Sequence, residues 1–162
     1  PFFMVNLPIP QNNKTPNITD CFDLYTSNEI MTGENQWYNE KESEKQDVKK
    51  NIKFFSLPNI LVIDFKRFNN MNKKNNIFID FPLEDLDLSK YIIGYDKDSF
   101  VYDCYGICNH SGTSNGGHYT SFVKNADNNW YHFNDTQVVK INNDSVKKIK
   151  SQHAYCLFYR KK

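Results

Sequence analysis

A chain of 162 residues, 39% hydrophobic and 15% aromatic, carries enough apolar mass for one core and is expected to fold as one soluble domain. Twenty basic side chains against nineteen acidic ones give a net charge of +1, with no basic stripe to follow phosphates, so no nucleic-acid partner is expected. The longest apolar run, around Asn59–Ile63, is far short of the roughly 20 residues that a spanning helix needs, so neither a membrane partner nor a leader before Pro1 is expected.

Four cysteines, Cys21, Cys104, Cys108 and Cys156, show no disulfide framework and no Cys-x-x-Cys pairs, which suits an intracellular, reducing compartment; cytoplasm and nucleus both fit. In chain order, Gln11–Asn17 is a polar loop broken by Pro16. Asn17 or Thr19 can cap a helix with Cys21, Phe22, Leu24 and Tyr25 on its apolar side. A thiol near a helix N-terminus can be acidified, but the apolar neighbours of Cys21 make it a packed residue.

Ile52–Phe68 holds a continuous apolar run between Pro58 and the charged Lys66 and Arg67, the pattern of a strand buried on both faces. Asn69–Asn76, NNMNKKNN, is polar and low in complexity and reads as a mobile loop. Residues 77–92 alternate apolar side chains through Pro82 and read as scaffold. Val101–Cys108 alternates as a strand, and the even spacing puts Cys104 and Cys108 on one face. A Cys-x-x-x-Cys on a strand is weak evidence for a metal.

Next comes a stretch with a histidine placed to do chemistry. His118 follows Gly116 and Gly117, where missing side chains let another backbone pass close, and it opens a β-rich run to Val123. Lys124–Asn129 is rich in turn residues, and Trp130–Asn134 is a second strand, so the two runs form a hairpin. A loop centre near residue 126 gives paired positions a sum of about 252, which sets His118 opposite Asn134; a slip of one sets Asp135 there instead. Either way the imidazole gains an orienter, as the base of a Cys-His-Asn relay does. Val138–Ile141 and Asp144–Ile149 then lead to a closing strand, His153–Tyr159, with Cys156 as a core thiol.

The segment YGICNHSGTSNGGHYTSFVKNADNNWYHFNDTQV resembles the histidine box of the ubiquitin-specific proteases, papain-like cysteine peptidases that cut after the last glycine of ubiquitin. It has the Asn-His-Ser-Gly, the Gly-Gly-His-Tyr, the Trp-Tyr-x-Phe strand and the Asn134, Asp135 pair. The strand ending Lys66-Arg67-Phe68 resembles that family's Leu-Pro-x-x-Leu-x-x-x-x-Lys-Arg-Phe, with Asp64 and Phe65 where His-Leu is commoner, and HAYCLFYR resembles its closing strand. Gly33–Lys50 resembles the second half of the family's fingers, but Asn39 and Glu42 stand where two zinc-binding cysteines are common. Asn is a poor zinc ligand, so no finger zinc and no other cofactor are expected.

The resemblance implies an α+β, mainly antiparallel β fold, the C-terminal part (palm and partial fingers) of a papain-like cysteine peptidase domain. Residues 1–162 would form that part, with 33–50 a remnant of the fingers. The family's cysteine box is absent from these residues, so the nucleophile is expected outside this chain, which alone would be inactive. His118 would be the general base and Asn134 its orienter, with Asp135 assisting. A loop from His110 to Gly117 would lie over the ubiquitin tail, contacted by His110, Ser111, Gly116, Gly117 and Tyr119; Gly117→Val is expected to hinder entry and leave the fold intact. The implied partners are ubiquitin, ubiquitinated proteins and the N-terminal part of the same catalytic domain. The alternative is a non-catalytic ubiquitin-binding module.

Overall fold

A computed structural model describes residues 4–11, 15–95 and 100–162. Expectations that touch residues 1–3 at the opening of the chain, or 12–14 in the Gln11–Asn17 loop, lie outside the described residues. In chain order the elements are β1 (Met4–Leu7), α1 (Ile18–Tyr25), β2 (Glu29–Met31), β3 (Trp37–Asn39), β4 (Glu44–Gln46), β5 (Val48–Lys50), β6 (Ile60–Phe65), β7 (Leu86–Asp87), β8 (Val101–Thr113), β9 (Gly116–Lys124), β10 (Trp130–Asn134), β11 (Gln137–Lys140) and β12 (Ala154–Lys161). Eight strands make one sheet in the order β1-β6-β12-β8-β9-β10-β11, with β7 beside β8. The β1–β6 pair is parallel and the other pairs are antiparallel. With one short α-helix among the described residues, this is the expected mainly antiparallel α+β arrangement. No helix among the described residues is long and apolar enough to cross a membrane.

The apolar run of β6 places it second in the sheet, between β1 and β12, with Leu61, Val62, Ile63 and Phe65 buried. Such two-sided burial is what a strand without polar alternation requires. Of the two candidate caps, Asn17 holds α1: its Oδ1 accepts from the Asp20 N–H and the Asp20 carboxylate accepts from the Asn17 N–H, both at 2.9 Å. The helix lays Ile18, Cys21 and Phe22 on the core, where Phe22 stacks on Tyr91 with centroids 5.1 Å apart.

Arg67 leaves β6 and turns inward, 1% exposed. Its Nε donates to the Ala154 carbonyl at 2.8 Å and its Nη1 to the Asn75 and Ile77 carbonyls at 2.9 and 3.0 Å. A buried guanidinium thus ties β12 to the segment after β6, and burial lowers its pKa to about 10. Asn69–Asn76 is a loop, closed by Asn72 N–H to Asn69 C=O at 2.9 Å and Asn75 N–H to Arg67 C=O at 2.6 Å.

The even-spacing argument for Cys104 and Cys108 fails. Against β12, β8 pairs Ile107 with Leu157 and Gly106 with Phe158, but then Cys104 with Tyr159, so one residue of β8 is extra. Such a β-bulge reverses the alternation of faces. Tyr102 and Cys104 point into the core on one side of it and Ile107 on the other, which sends Cys108 to the opposite face. There Cys108 stands opposite Cys156, which stands opposite Asp64 on β6. Cys156 is accordingly half-buried on that far face and is not the core thiol expected of it, because the core side of β12 is taken by Leu157 and Tyr159.

Candidate active site

The hairpin of β9 and β10 is wound two residues further along than expected. Lys124 pairs with Trp130 and Phe133 with Ser121, since Lys124 belongs to the strand and the turn is Asn125–Asn129, closed by the Asn125 N–H to Asn129 C=O bond at 3.0 Å. Asn134 therefore lies diagonal to His118 and not opposite it. A shift of two keeps every side chain on its face, and a diagonal pair is within reach of long side chains. The contact forms: His118 Nε2 is 2.6 Å from Asn134 Oδ1.

Since the carboxamide oxygen accepts, Nε2 carries the proton, and the imidazole lone pair sits on Nδ1. Nδ1 has no hydrogen-bond partner among the described residues, and the His118 side chain lies at the exposed end of β9. Asp135 begins the two-residue turn between Asn134 and Gln137, with φ of 50°. The chain leaves the strand there, so the ring's bond goes to Asn134 and the alternative register with Asp135 is not realised.

The segment read as a loop over the site is the far end of a hairpin. His110 pairs with Tyr119, Ser111 with His118, Gly112 with Gly117 and Thr113 with Gly116. Glycine explains how the strands come so close: Gly112 has φ of 138°, and a Cβ there would lie 2.5 Å from Gly117 Cα. A Cβ on Gly117 would lie 2.4 Å from the Ser111 carbonyl oxygen and 2.5 Å from His110 Nε2, whereas one on Gly116 meets nothing within 4 Å. The missing side chain of Gly117 thus makes room for the chain's own atoms. The expectation that Gly117→Val leaves the fold intact is corrected: the hairpin must shift to admit it.

The expected tail contacts separate in the same way. Ser111, Gly116, Gly117 and Tyr119 are exposed, with the Ser111 hydroxyl 3.3 Å from His153 Nδ1. His110 is only 3% exposed, its ring packed under that of Tyr119 with centroids 4.7 Å apart. It is therefore not placed to touch a ligand. Sequence reasoning missed what holds it, Lys74, whose Nζ is 3.0 Å from His110 Nδ1. Nothing in NNMNKKNN distinguishes this lysine from its neighbour Lys73.

None of the four thiols is activated. Burial pushes Cys21, Cys104 and Cys156 up to about 12 and raises Cys108 as well, with the Asp64 charge adding to the last two. On β3, the Asn39 side chain donates to Gln46 Oε1 and accepts from the Lys41 N–H, both at 3.1 Å. No cluster of three or more His, Cys, Asp or Glu able to hold a metal occurs among the described residues. The residues at 39 and 42 do not fit a structural zinc.

Comparison with known proteins gives the following. The family model described as ubiquitin carboxyl-terminal hydrolase matches residues 8–159. Ubiquitin carboxyl-terminal hydrolase 9 of Arabidopsis thaliana is 36% identical over 145 residues, 87% of this chain and 16% of the relative. Ubiquitin carboxyl-terminal hydrolase 15 of Homo sapiens is 36% identical over 148 residues, 89% of this chain and 15% of the relative. The chain thus spans about a sixth of the length of the curated relatives it matches. Among solved structures, the SAGA Ubp8/Sgf11/Sus1/Sgf73 DUB module bound to ubiquitin aldehyde has a chain matching with a TM-score of 0.78 and 28% identity, over 99% of this chain and 36% of that one.

Proposed function

This chain belongs to the ubiquitin carboxyl-terminal hydrolase family, and from that premise we propose that it supplies the base and orienter of a cysteine-type deubiquitinase whose nucleophilic thiol lies outside residues 1–162. The observation that carries this reading is the 2.6 Å bond from His118 to Asn134, which fixes the tautomer and leaves the lone pair on Nδ1. The partners are ubiquitin, ubiquitinated proteins and the N-terminal part of the same catalytic domain. A papain-like fold held by a family member with four free thiols suits work in the cytoplasm or nucleus.

The chemistry follows from the tautomer. His118 Nδ1 takes the proton of the incoming thiol, and the thiolate attacks the carbonyl carbon of the last glycine of ubiquitin. The same proton then goes to the leaving amine as the C–N bond breaks, leaving a thioester. Water, deprotonated by Nδ1, hydrolyses that thioester and restores the thiol. Asn134 holds the ring throughout, but a neutral carboxamide orients an imidazolium without neutralising it. Ser111, Gly116, Gly117 and Tyr119 are among the exposed groups at the hairpin tip available to the ubiquitin tail, and Asp135 flanks the site without bonding the ring.

Replacing Asn134 by Ala in the complete protein is expected to lower kcat by roughly tenfold to a hundredfold with KM little changed, through lost orientation. An unchanged kcat removes Asn134 from the mechanism. Hydrolysis absent in the wild type, with ubiquitin still bound, replaces the enzyme reading by that of a non-catalytic ubiquitin-binding module.

A further inference from the structure

His110 stands across the strand pair from Tyr119, the residue after His118, and a lysine from another segment holds it. Lys74 Nζ is 3.0 Å from His110 Nδ1 and also donates to the His110 carbonyl oxygen. An ammonium has only protons to give, so Nδ1 accepts and the ring is neutral with its proton on Nε2. Burial and the Lys74 charge both lower the pKa of His110, in agreement. Around the ring stand Phe68 from the segment after β6, Tyr155 from β12 and Tyr119 from β9, with centroids 6.0, 5.6 and 4.7 Å away. Nε2 occupies the space where a Gly117 side chain would begin.

Gly117 precedes His118 and Tyr119 follows it. One neutral ring thus supports the backbone on both sides of the base, through van der Waals contact with Gly117 and ring contact with Tyr119. The support is itself clamped, since Lys74 belongs to the loop that Arg67 pins from below.

We propose that His110, locked by Lys74, is a positioning residue for His118, setting the Gly117–Tyr119 backbone so that the imidazole meets Asn134 on one side and the incoming thiol on the other. Its kinetic test rests on the deubiquitinase reading; its structural test rests on geometry alone. In the complete protein, Lys74→Met keeps the stem and removes the donor, and Lys74→Arg keeps a donor. Lys74→Met is expected to lower kcat about tenfold with KM within about twofold, since misplacing a catalytic group acts on the transition state and not on uniform binding. Lys74→Arg recovers most of that loss. Amide hydrogen exchange at Gly117–Tyr119 quickens in Lys74→Met while β6 and β12 keep their protection. A raised KM at unchanged kcat overturns the proposal and makes His110 a substrate contact; unchanged kinetics and exchange overturn it outright. If the wild type hydrolyses nothing, the deubiquitinase reading fails, and exchange still decides: quickening confined to 117–119 sustains the positioning role, and its absence ends it.

Discussion

The β9–β10 hairpin and the short strands β2 to β5 are both antiparallel, yet their order comes from different places. β9 runs nine residues and is bonded on both sides, to β8 and β10, with Ile107, Phe122 and Trp130 seating this part of the sheet on the core. β2, β3, β4 and β5 have three residues each and form two isolated two-stranded sheets, leaving Ile30, Trp37 and Tyr38 about half exposed or more. A two-stranded pair without a covered face is marginal in water. The site is therefore precise because the sheet over-determines it, while β2 to β5 hold by exposed local contacts, such as Gln36 to Asp47 at 2.7 Å and Lys50 to Glu29 at 3.9 Å.

That contrast orders the expected effects of mutation. The largest is Arg67→Met, which leaves the carbonyls of Ala154, Asn75 and Ile77 without their donor; a loss of roughly 3 kcal/mol or more in chemical denaturation is expected, and a loss below about 1 kcal/mol shows that the guanidinium is replaceable. Asn17→Ala removes the cap of α1 and is expected to cost about 1 kcal/mol.

Asp64→Asn tests the half-buried far face of the sheet. Burial raises the Asp64 pKa, against a smaller opposing pull from Arg67. The folded state then binds this proton more tightly than the unfolded chain, so stability falls as pH rises through the carboxylate range. The variant is expected to melt higher than wild type at neutral pH, with the gain vanishing below the ordinary Asp pKa of about 3.9; a gain independent of pH points to packing instead. The smallest effect belongs to β2 to β5. Asn39→Ala should change stability by less than about 0.5 kcal/mol, and a chelator should leave the melting temperature unmoved. A chelator-induced drop would mean that these strands hold a metal after all.

Much of this fold was legible because burial writes itself into periodicity. β6 was evident from an unbroken apolar run, α1 from a polar cap before Cys21 and Phe22, and the closing strand from its aromatic alternation. The His118–Asn134 pair was legible for a subtler reason: the register was misjudged by two residues, and parity carried the contact through. What could not be read were events without a local signature. The bulge in β8 has no distinctive residue, yet it parts Cys104 from Cys108. The Lys74–His110 contact joins positions 36 apart, one of them within a low-complexity run. Gly117 advertised room, but the folded chain fills that room itself with the Ser111 carbonyl and the His110 ring.

The complete protein can be treated with ubiquitin carrying a C-terminal thiol-reactive electrophile and the adduct mapped by peptide mass spectrometry. One adduct is expected, on a cysteine outside residues 1–162, formed more slowly when His118 is replaced by Ala. An adduct on Cys21, Cys104, Cys108 or Cys156, or none anywhere, would contradict that expectation.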